Sequence, residues 1–241
     1  MPFDVIIALF AVAIGAILQV GIGIGFSIVA GPILMLQLGT PMAVPLLLLL
    51  NATVSIVASP GSVVRKDHKI LMLSSIGCLI GIGFGIIVYR YLSEISVLAI
   101  TGTLLLIGVL ATLVPMRTNN QKMFLPISGL SGLATVWAAT PGPLMALGFM
   151  LSGYTAAQVR KMIQPVALVA YGTAFMLHAV TDWDKIAQYP DLFALLLASI
   201  IGSLVGRRVG PFLPQALIIN GIRIISLFAG FVLFYRAATL L

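Results

Sequence analysis

Residues 5–38 read VIIALFAVAIGAILQVGIGIGFSIVAGPILMLQL, a run without a single charged side chain. A helix needs about 20 residues to cross the hydrocarbon core of a bilayer, so this run is too long for one simple crossing. Glycines at positions 21, 23 and 25 and the pair Gly31-Pro32 interrupt it. Because helices break at closely spaced glycines and at proline, the stretch predicts a membrane helix that is broken near its middle.

The composition of the 241-residue chain also indicates a membrane protein. Hydrophobic residues make up 61% of the sequence and charged residues 8%, whereas soluble domains are about 45–50% apolar and about 25% charged. So few charges cannot cover a soluble fold of this length, which argues against a soluble enzyme, a nucleic-acid-binding protein and a disordered chain. The formal net charge of +7 fits basic cytoplasmic loops better than nucleic-acid binding.

The pattern of the first stretch recurs later in the chain. Apolar stretches cover residues 5–38, 43–64, 70–89, 95–115, 124–151, 163–180, 192–205 and 216–235. In the fifth stretch, Gly132 and Gly142-Pro143 have the spacing of Gly21 and Gly31-Pro32 in the first. The third and seventh stretches both carry glycine at every fourth residue, namely Gly77, Gly81, Gly85 and Gly202, Gly206, Gly210. Such faces of small residues let helices pack closely, and the recurrence indicates two homologous halves.

The distribution of basic residues favours two re-entrant hairpins. If all eight stretches crossed once, the positive charges would be divided between the two membrane faces. If the first and fifth stretches enter, break and return to the same face, one side holds Arg65, Lys66, Lys69, Arg117, Lys122, Arg160, Lys161, Arg207 and Arg208. Only Arg90, Lys185 and Arg236 then lie opposite, with the aspartates of a loop over residues 182–191. This segregation is what the positive-inside rule predicts for cytoplasmic loops.

The predicted fold is therefore an all-α integral membrane protein made of two inverted repeats, residues 1–117 and 118–241. Each repeat holds one re-entrant broken-helix hairpin and three transmembrane helices, and both termini are extracytoplasmic. Inverted repeats with broken helices are typical of secondary transporters, which bind their substrates near the middle of the membrane. We accordingly expect a multi-pass protein of the cell (plasma or inner) membrane.

The two breaks predict an anion site. The glycine string at positions 21–25 lacks the preceding strand and the acidic residue about 20 positions later that a dinucleotide-binding motif needs. We instead expect Thr140 to cap a short helix over residues 144–151, and Gly31-Pro32 to open its counterpart over residues 33–38. Free N–H groups and positive dipole ends at two such helix starts favour an anion. The alternative is that the two breaks only bend their helices.

Uncharged polar side chains inside the apolar stretches are further candidates for the anion site. Asn51 and Gln164 lie at nearly equivalent places on the helices after each hairpin, where they either donate hydrogen bonds to an anion or only join helices. Arg223 lies inside the last stretch, where it either neutralises the substrate or reaches the cytoplasmic interface. The predicted substrate-binding set is Gly21, Gly23, Gly25, Ser27, Asn51, Thr140, Gly142, Gln164 and Arg223, with Arg65 and Arg160 attracting anions at the cytoplasmic mouth.

Several function classes are disfavoured by what the sequence lacks. All six acidic residues fall in loops or at the ends of apolar stretches, so no buried carboxylate offers a cation site or a proton relay. A single cysteine, Cys78, excludes a disulfide framework and a cysteine metal site. No residue pattern typical of a membrane protease occurs. We therefore expect no enzymatic activity, no metal and no cofactor. The expected partners are a small anion and the bilayer but not nucleic acid, and a homodimer is left open.

Motifs in both halves resemble those of a known family. The glycine-rich first break is followed by Gly31-Pro32 and Leu38-Gly39, and the second break by Gly142-Pro143, Ser152-Gly153 and Arg160. Together with the glycine-spaced third and seventh stretches, these motifs are similar to the sulfite exporter TauE/SafE family over essentially the whole chain. The sequence departs from that family at residues 134–137, Ala-Thr-Val-Trp, where glycines are commoner.

The resemblance implies a bacterial-type plasma-membrane carrier of sulfur-containing anions such as sulfite, sulfoacetate and other organosulfonates. A distant thiosulfate-uptake family uses cysteines along its path, a mechanism that one cysteine does not support. We expect a carrier that binds a small oxyanion between the two breaks and rocks one half against the other. The alternatives are a passive anion channel of the same fold, a carrier of a different small organic anion, and a membrane scaffold subunit without transport.

Overall fold

Ten helices make up most of the described part of the chain. The computed structural model describes residues 3–23, 25–59, 68–113, 123–212 and 214–240, and no strand occurs within those ranges. The helices are α1 (Phe3–Ile22), α2 (Phe26–Leu38), α3 (Thr40–Ala58), α4 (His68–Tyr89), α5 (Glu94–Leu113), α6 (Phe124–Ala138), α7 (Gly142–Leu151), α8 (Ala156–Ala187), α9 (Leu192–Val209) and α10 (Gln215–Thr239). All except α2, α6 and α7 are long and apolar enough to cross a membrane. The predicted all-α membrane fold is confirmed.

The first break lies between α1 and α2, at the glycine string. Gly23 has a φ of 101° and Gly25 a φ of 140°, backbone conformations that side chains other than glycine rarely adopt. The prediction that Gly31-Pro32 opens the second helix is wrong, because α2 already begins at Phe26 and contains Pro32 in its second turn. There the missing N–H of Pro32 costs a single helical hydrogen bond, which a buried helix tolerates.

The second break lies between α6 and α7. Ala139 ends α6 with a left-handed φ of 51°, and α7 begins at Gly142 with Pro143 in its first turn, as the Gly-Pro pair predicts. Thr140 is not the helix cap that the sequence predicts. The residue before the helix is Pro141, and the Thr140 hydroxyl instead donates to the Ala138 carbonyl at 2.7 Å. The Thr140 hydroxyl is therefore satisfied by a carbonyl two residues before it, within the break itself.

Each hairpin returns to the end of the bundle at which it begins. Gly15 of α1 lies against the backbone of Phe26, and Gln37 near the end of α2 donates to the Asp4 carbonyl at 3.1 Å. In the second hairpin, Phe149 of α7 stacks on Phe124 at the start of α6, with ring centroids 5.2 Å apart. The two helices of each hairpin are therefore antiparallel, the arrangement that a re-entrant hairpin requires. Among the four helices of the two hairpins, α1 alone has spanning length.

Close packing at the glycine-spaced faces joins the two predicted halves. A side-chain carbon on Gly81 of α4 would overlap the Gly129 carbonyl of α6, and one on Gly132 would overlap the Cys78 carbonyl. In the same way Gly202 of α9 packs directly on the backbone of α1. The predicted packing role of both glycine faces is confirmed. Each hairpin's first helix therefore packs on a helix of the other predicted half.

The relative direction of α5 and α10 bears on the topology. Gly102, in the first half of α5, packs against the Phe234 ring in the last turns of α10. Thr112, in the last turn of α5, accepts a hydrogen bond from Arg223 in the first half of α10. The two helices are therefore antiparallel. If all eight apolar stretches crossed the membrane once, the fourth and eighth would run in the same direction. The contacts support the inverted arrangement, which stays a prediction.

The two ends of the bundle differ in charge. Arg160 of α8 donates to the Gly21 carbonyl at the end of α1, and Gly210, just after α9, packs against the same residue. The basic residues in the last turn of α9, Arg207 and Arg208, therefore lie at the same end as Arg160. We call this end of the bundle the basic end. The opposite end carries charges of both signs, namely Arg90, Glu94, Asp182, Asp184 and Lys185.

One predicted loop is wrong. The chain over residues 182–191 was expected to be a loop, but α8 continues to Ala187, so that only residues 188–191 connect it to α9. Lys185 and Asp182 form an ion pair of 2.8 Å one turn apart on this extension. Ion pairs one turn apart stabilise an exposed turn of helix.

Candidate functional site

The starts of α2 and α7 meet at a small pocket in the interior of the bundle. Both breaks contribute to its wall, and the remaining lining comes from α1 and α8. Its volume is ≈ 20 Å³, enough for about one water molecule. The lining residues are Gln19, Gly23, Gly25, Ser27, Ile28, Thr140, Gly142, Pro143, Ile163 and Tyr171. None of these side chains is acidic, so the wall offers nothing that repels an anion.

Helix starts supply hydrogen-bond donors to the pocket wall. The N–H groups of the first turn of a helix have no carbonyl one turn before them within that helix. Ser27 and Ile28 at the start of α2 and Gly142 at the start of α7 line the pocket, so their N–H groups are the donors that these helix starts offer to it. The Phe26 N–H beside them is satisfied by the Gln19 side-chain carbonyl at 3.3 Å. Two helix dipoles thus direct their positive ends toward one small space.

Ser27 connects four helical elements at this pocket. Its hydroxyl donates to the Ala139 carbonyl of the second break at 2.6 Å. The same oxygen accepts from Asn51 Nδ2 of α3 at 3.0 Å, and the Tyr171 hydroxyl of α8 also contacts it. Ser27 is 6% exposed and Asn51 is fully buried. The two breaks are therefore joined directly, through a side chain in the first turn of α2.

Two glutamines form a second connection across the pocket. Gln164 of α8 donates to the Gly23 carbonyl at 2.6 Å, and its own carbonyl accepts from the Gln19 amide at 3.4 Å. Gln164 therefore fixes the backbone of the first break, while Gln19 fixes the first N–H of α2. Because neither amide carries a charge, both can transfer a hydrogen bond to a ligand without holding it by a full ionic contact.

Arg160 covers the first break from the basic end. Its guanidinium donates to the Gly21 carbonyl in the last turn of α1, and its aliphatic carbons lie against Gly23. A cation is favourable at this position because the carboxyl end of a helix carries partial negative charge. The structure therefore places the positive charge of Arg160 next to the pocket. The sequence predicts Arg160 at the cytoplasmic mouth, which is further from the pocket.

The predicted site residues divide into three groups. Five of them line the pocket, namely Gly23, Gly25, Ser27, Thr140 and Gly142. Asn51 and Gln164 reach it through hydrogen bonds to Ser27 and Gly23. Gly21 does not line it, since its backbone packs on Gly210 and accepts from Arg160. Arg223 does not line it either, and Arg65, Lys66, Arg117 and Lys122 lie outside the described residues.

Two of the pocket residues with polar side chains, Gln19 and Tyr171, were not in the predicted set. Both stand in the sequence as polar residues inside apolar stretches, which is the signal that also singles out Asn51 and Gln164. Gln19 comes before the break and Tyr171 lies two turns after Gln164, so neither position corresponds between the halves. Only the folded chain brings these four side chains together.

Arg223 joins α5 to α10 instead of facing the pocket. Its Nε donates to the Thr112 hydroxyl at 2.8 Å and one terminal nitrogen donates to the Thr112 carbonyl at 2.7 Å. The other terminal nitrogen donates to the Asn220 side-chain carbonyl at 3.0 Å. Of the two roles considered for this arginine, the contacts fit the one outside the site, because the guanidinium caps the carboxyl end of α5.

Replacing Arg223 with alanine should lower thermal stability and leave substrate affinity unchanged. The change removes the bonds to Thr112 that tie α5 to α10 but no group in the pocket wall. The unfolding temperature and the KM of transport are the two measurements. Arg236→Ala removes the same charge further along α10 and serves as the control. A large rise in KM with unchanged stability would contradict this role and would mean that Arg223 contributes to substrate binding.

A larger cavity opens at the end of the bundle opposite the basic end. Its volume is ≈ 470 Å³, and its wall includes the start of α3, the end of α4 and the last turns of α8. His178 forms part of this wall, with Nε2 3.2 Å from the Val136 carbonyl in the last turn of α6. The Tyr89 ring packs edge-on against the His178 ring, with centroids 4.6 Å apart. Through His178, the wall of this cavity contacts the last turn of α6, which precedes the second break.

Comparison with known proteins gives one match. A family model described as sulfite exporter TauE/SafE matches residues 7–233, a range that contains every residue of the pocket wall and both breaks. No curated protein matches the chain, and no solved structure does.

Proposed function

Since the chain belongs to the sulfite exporter TauE/SafE family, whose members are membrane transporters, we propose that it carries a small sulfur oxyanion across the cell membrane. The substrate class is sulfite or an organosulfonate such as sulfoacetate. The protein acts as a carrier that exposes one central site to each side of the membrane in turn. Its role is transport and not catalysis.

The observation that supports this proposal is the meeting of two helix starts at an uncharged, donor-rich pocket. Free N–H groups of α2 and α7 suit the oxygens of a sulfite or sulfonate group. Gln164 and Asn51 add neutral donors, and Arg160 adds a positive charge beside the wall. An anion bound by neutral groups is held without a strong ionic contact, which lets it leave again on the other side.

The pocket must widen for the substrate to bind. At ≈ 20 Å³ it holds about one water molecule, which is less than a group of one sulfur and three oxygens needs. We infer that the site is contracted here and is reached from the large cavity of ≈ 470 Å³ after a movement of the breaks. A contracted central site favours a carrier over an open channel, because a channel needs a continuous water-filled path.

The glycine contacts indicate which helices move together. Rocking residues 1–117 against 118–241 would separate the backbone contacts of Gly81 with Gly129 and of Gly202 with Ala13. We propose instead that α1, α2 and α9 form one moving body and α4, α6 and α7 the other. These two bodies are linked by the hydrogen bond from the Ser27 hydroxyl to the Ala139 carbonyl, which is easily exchanged.

Gln164→Ala and Asn51→Ala should each reduce sulfonate transport about tenfold to hundredfold. The estimate follows from the loss of one hydrogen bond to a charged ligand, about 1.5–3 kcal/mol. Uptake of radiolabelled sulfoacetate into proteoliposomes is the measurement. Thr53→Ala is the matched control on α3, because the Thr53 hydroxyl bonds only to its own helix, at Leu49. Full transport by both pocket variants would remove these side chains from the site.

The same liposomes distinguish a carrier from a passive anion channel. Unlabelled sulfoacetate inside the vesicles should accelerate uptake of labelled sulfoacetate, because a carrier returns faster when loaded. A channel shows no such trans-stimulation. Replacing the sulfonate with a carboxylate of similar size tests the alternative that the chain carries a different small organic anion.

A further inference from the structure

Three buried polar atoms without a hydrogen-bond partner lie on one helix. They are Asn51 Oδ1, Ser55 Oγ and Ser59 Oγ, all on α3 or directly after it. Across the part of the chain that the structure describes, no further buried side-chain nitrogen or oxygen of this kind occurs. Residues spaced by four lie on one face of a helix, so the three atoms form a single row. We call these three residues the polar row.

Several hydroxyl groups at other places in the described helices bond to a carbonyl of their own helix. Thr53, also on α3, donates to the Leu49 carbonyl at 3.0 Å, and Ser203 of α9 donates to the Ser199 carbonyl at 2.7 Å. Ser55 has a carbonyl in the same relative position, that of Asn51, but its hydroxyl does not bond to it. Leaving a buried hydroxyl unpaired costs about 1–3 kcal/mol. An unpaired row at one face therefore indicates that these groups have another partner in another state.

The polar row leads from the pocket toward the basic end. Asn51 donates to Ser27 at the pocket, and Ser59 is the residue that ends α3. The eight residue steps from Asn51 to Ser59 span about 12 Å along the helix axis. Because α3 begins at Thr40 in the wall of the large cavity, its other end lies on the side of the basic end.

A second row on α8 leads in the opposite direction. Gln164, Tyr171 and His178 are all buried and are spaced by seven, so they share one face of α8. They run from the pocket to the large cavity, where His178 forms part of the wall. All three side chains have partners in this structure. One row thus ends in an open cavity, whereas the unpaired atoms of the polar row are buried.

We propose that Asn51, Ser55 and Ser59 line the half of the transport route between the pocket and the basic end, which is closed in this structure. When that half opens, the two hydroxyls and the amide bind the oxygens of the passing oxyanion and the water that accompanies it. Neutral donors along the route pass the anion on without trapping it. This assignment rests on the proposed function, since it assumes a solute that crosses the membrane.

Thiol accessibility tests the proposal. Ser55→Cys and Ser59→Cys are introduced separately into a Cys78→Ala background, because Cys78 is the chain's one native cysteine. Ile56→Cys is the control, since Ile56 is 65% exposed on the outer surface of α3, where we expect lipid to keep the charged reagent away. Sealed membrane vesicles of both orientations receive a charged, membrane-impermeant thiosulfonate reagent. Sulfoacetate serves as the ligand, because sulfite itself would consume the reagent.

Labelling of Ser55→Cys and Ser59→Cys should be at least fivefold faster than that of Ile56→Cys, and only from the basic end. Sulfoacetate should change both rates at least twofold. Rates no higher than the Ile56→Cys rate from either side, or labelling only from the large cavity, would overturn the proposal. Reaction from the basic end without any sulfonate transport would contradict the proposed substrate and leave the route intact. Sulfonate transport without such labelling would contradict the route alone.

A second variant separates a transport role from a structural one. Ser55→Ala removes an unpaired hydroxyl, so the unfolding temperature should stay the same or rise while the transport rate falls severalfold. A fall in the unfolding temperature with normal transport would mean that Ser55 only stabilises the helix bundle, and would overturn its place on the route.

Discussion

Replacing Gly81 with alanine should abolish the folded carrier. The added carbon would overlap the Gly129 carbonyl and lie 3.1 Å from the Gly132 Cα, and both are backbone atoms of α6. Backbone cannot move aside as a flexible side chain does, so α4 and α6 would have to separate along their whole contact. Overpacking of this kind costs about 1–3 kcal/mol or more, a large part of the stability of a domain.

Gly83→Ala is the matched control for this prediction. Gly83 lies two residues further along α4 on the exposed surface, and an added carbon there has nothing within 4 Å. The yield of monodisperse detergent-solubilised protein and its unfolding temperature should be normal or slightly raised for Gly83→Ala, and should collapse for Gly81→Ala. Equal behaviour of the two variants would contradict the close contact of α4 with α6.

Replacing Gly23 with alanine should reduce transport by about a hundredfold while the protein still folds and inserts. Gly23 has a φ of 101°, which costs an alanine about 1–3 kcal/mol. The added carbon would also displace the side chain of Arg160. Both effects change the conformation of the first break, where the Gly23 carbonyl accepts a hydrogen bond from Gln164 at the pocket. The rest of the bundle keeps its contacts.

Transport rate per inserted carrier is the measurement for Gly23→Ala, and Gly172→Ala is the control. Gly172 lies on α8 with nothing within 4 Å of an added carbon, so alanine there should be neutral. Normal transport by Gly23→Ala would mean that the backbone of the first break does not shape the site. Loss of folded protein instead of activity would make Gly23 a structural residue.

Much of the fold could be predicted because membrane helices leave strong signals in sequence. The apolar stretches of the sequence predicted every helix that is able to span a membrane. The glycine spacing predicted the faces by which α4 and α9 pack closely on other helices. The resemblance to the TauE/SafE family is confirmed by the family match. The glycine string predicted the first break, but the start of α2 was predicted wrongly, because Pro32 is usually a helix breaker and here lies inside the helix that begins at Phe26.

The candidate site was predicted less completely for a physical reason. Residues at helix starts could be found from local sequence, and five of them line the pocket. Side chains that reach the pocket from distant helices depend on how those helices pack. Gln19 and Tyr171 were therefore missed, and Arg223 was included although its partner is Thr112 on a neighbouring helix. The unpaired hydroxyls of Ser55 and Ser59 are visible only once their surroundings are known.

The most direct test of the account is the sidedness of the two hairpins. Single cysteines in a Cys78→Ala background at Phe3 and Pro41 flank the first hairpin, and those at Met123 and Lys161 flank the second. All four positions are exposed. The account predicts that an impermeant thiol reagent labels Phe3→Cys and Pro41→Cys from one membrane face, and Met123→Cys and Lys161→Cys from the other. Labelling of Phe3→Cys and Pro41→Cys from opposite faces would contradict re-entrant hairpins that meet at a shared pocket.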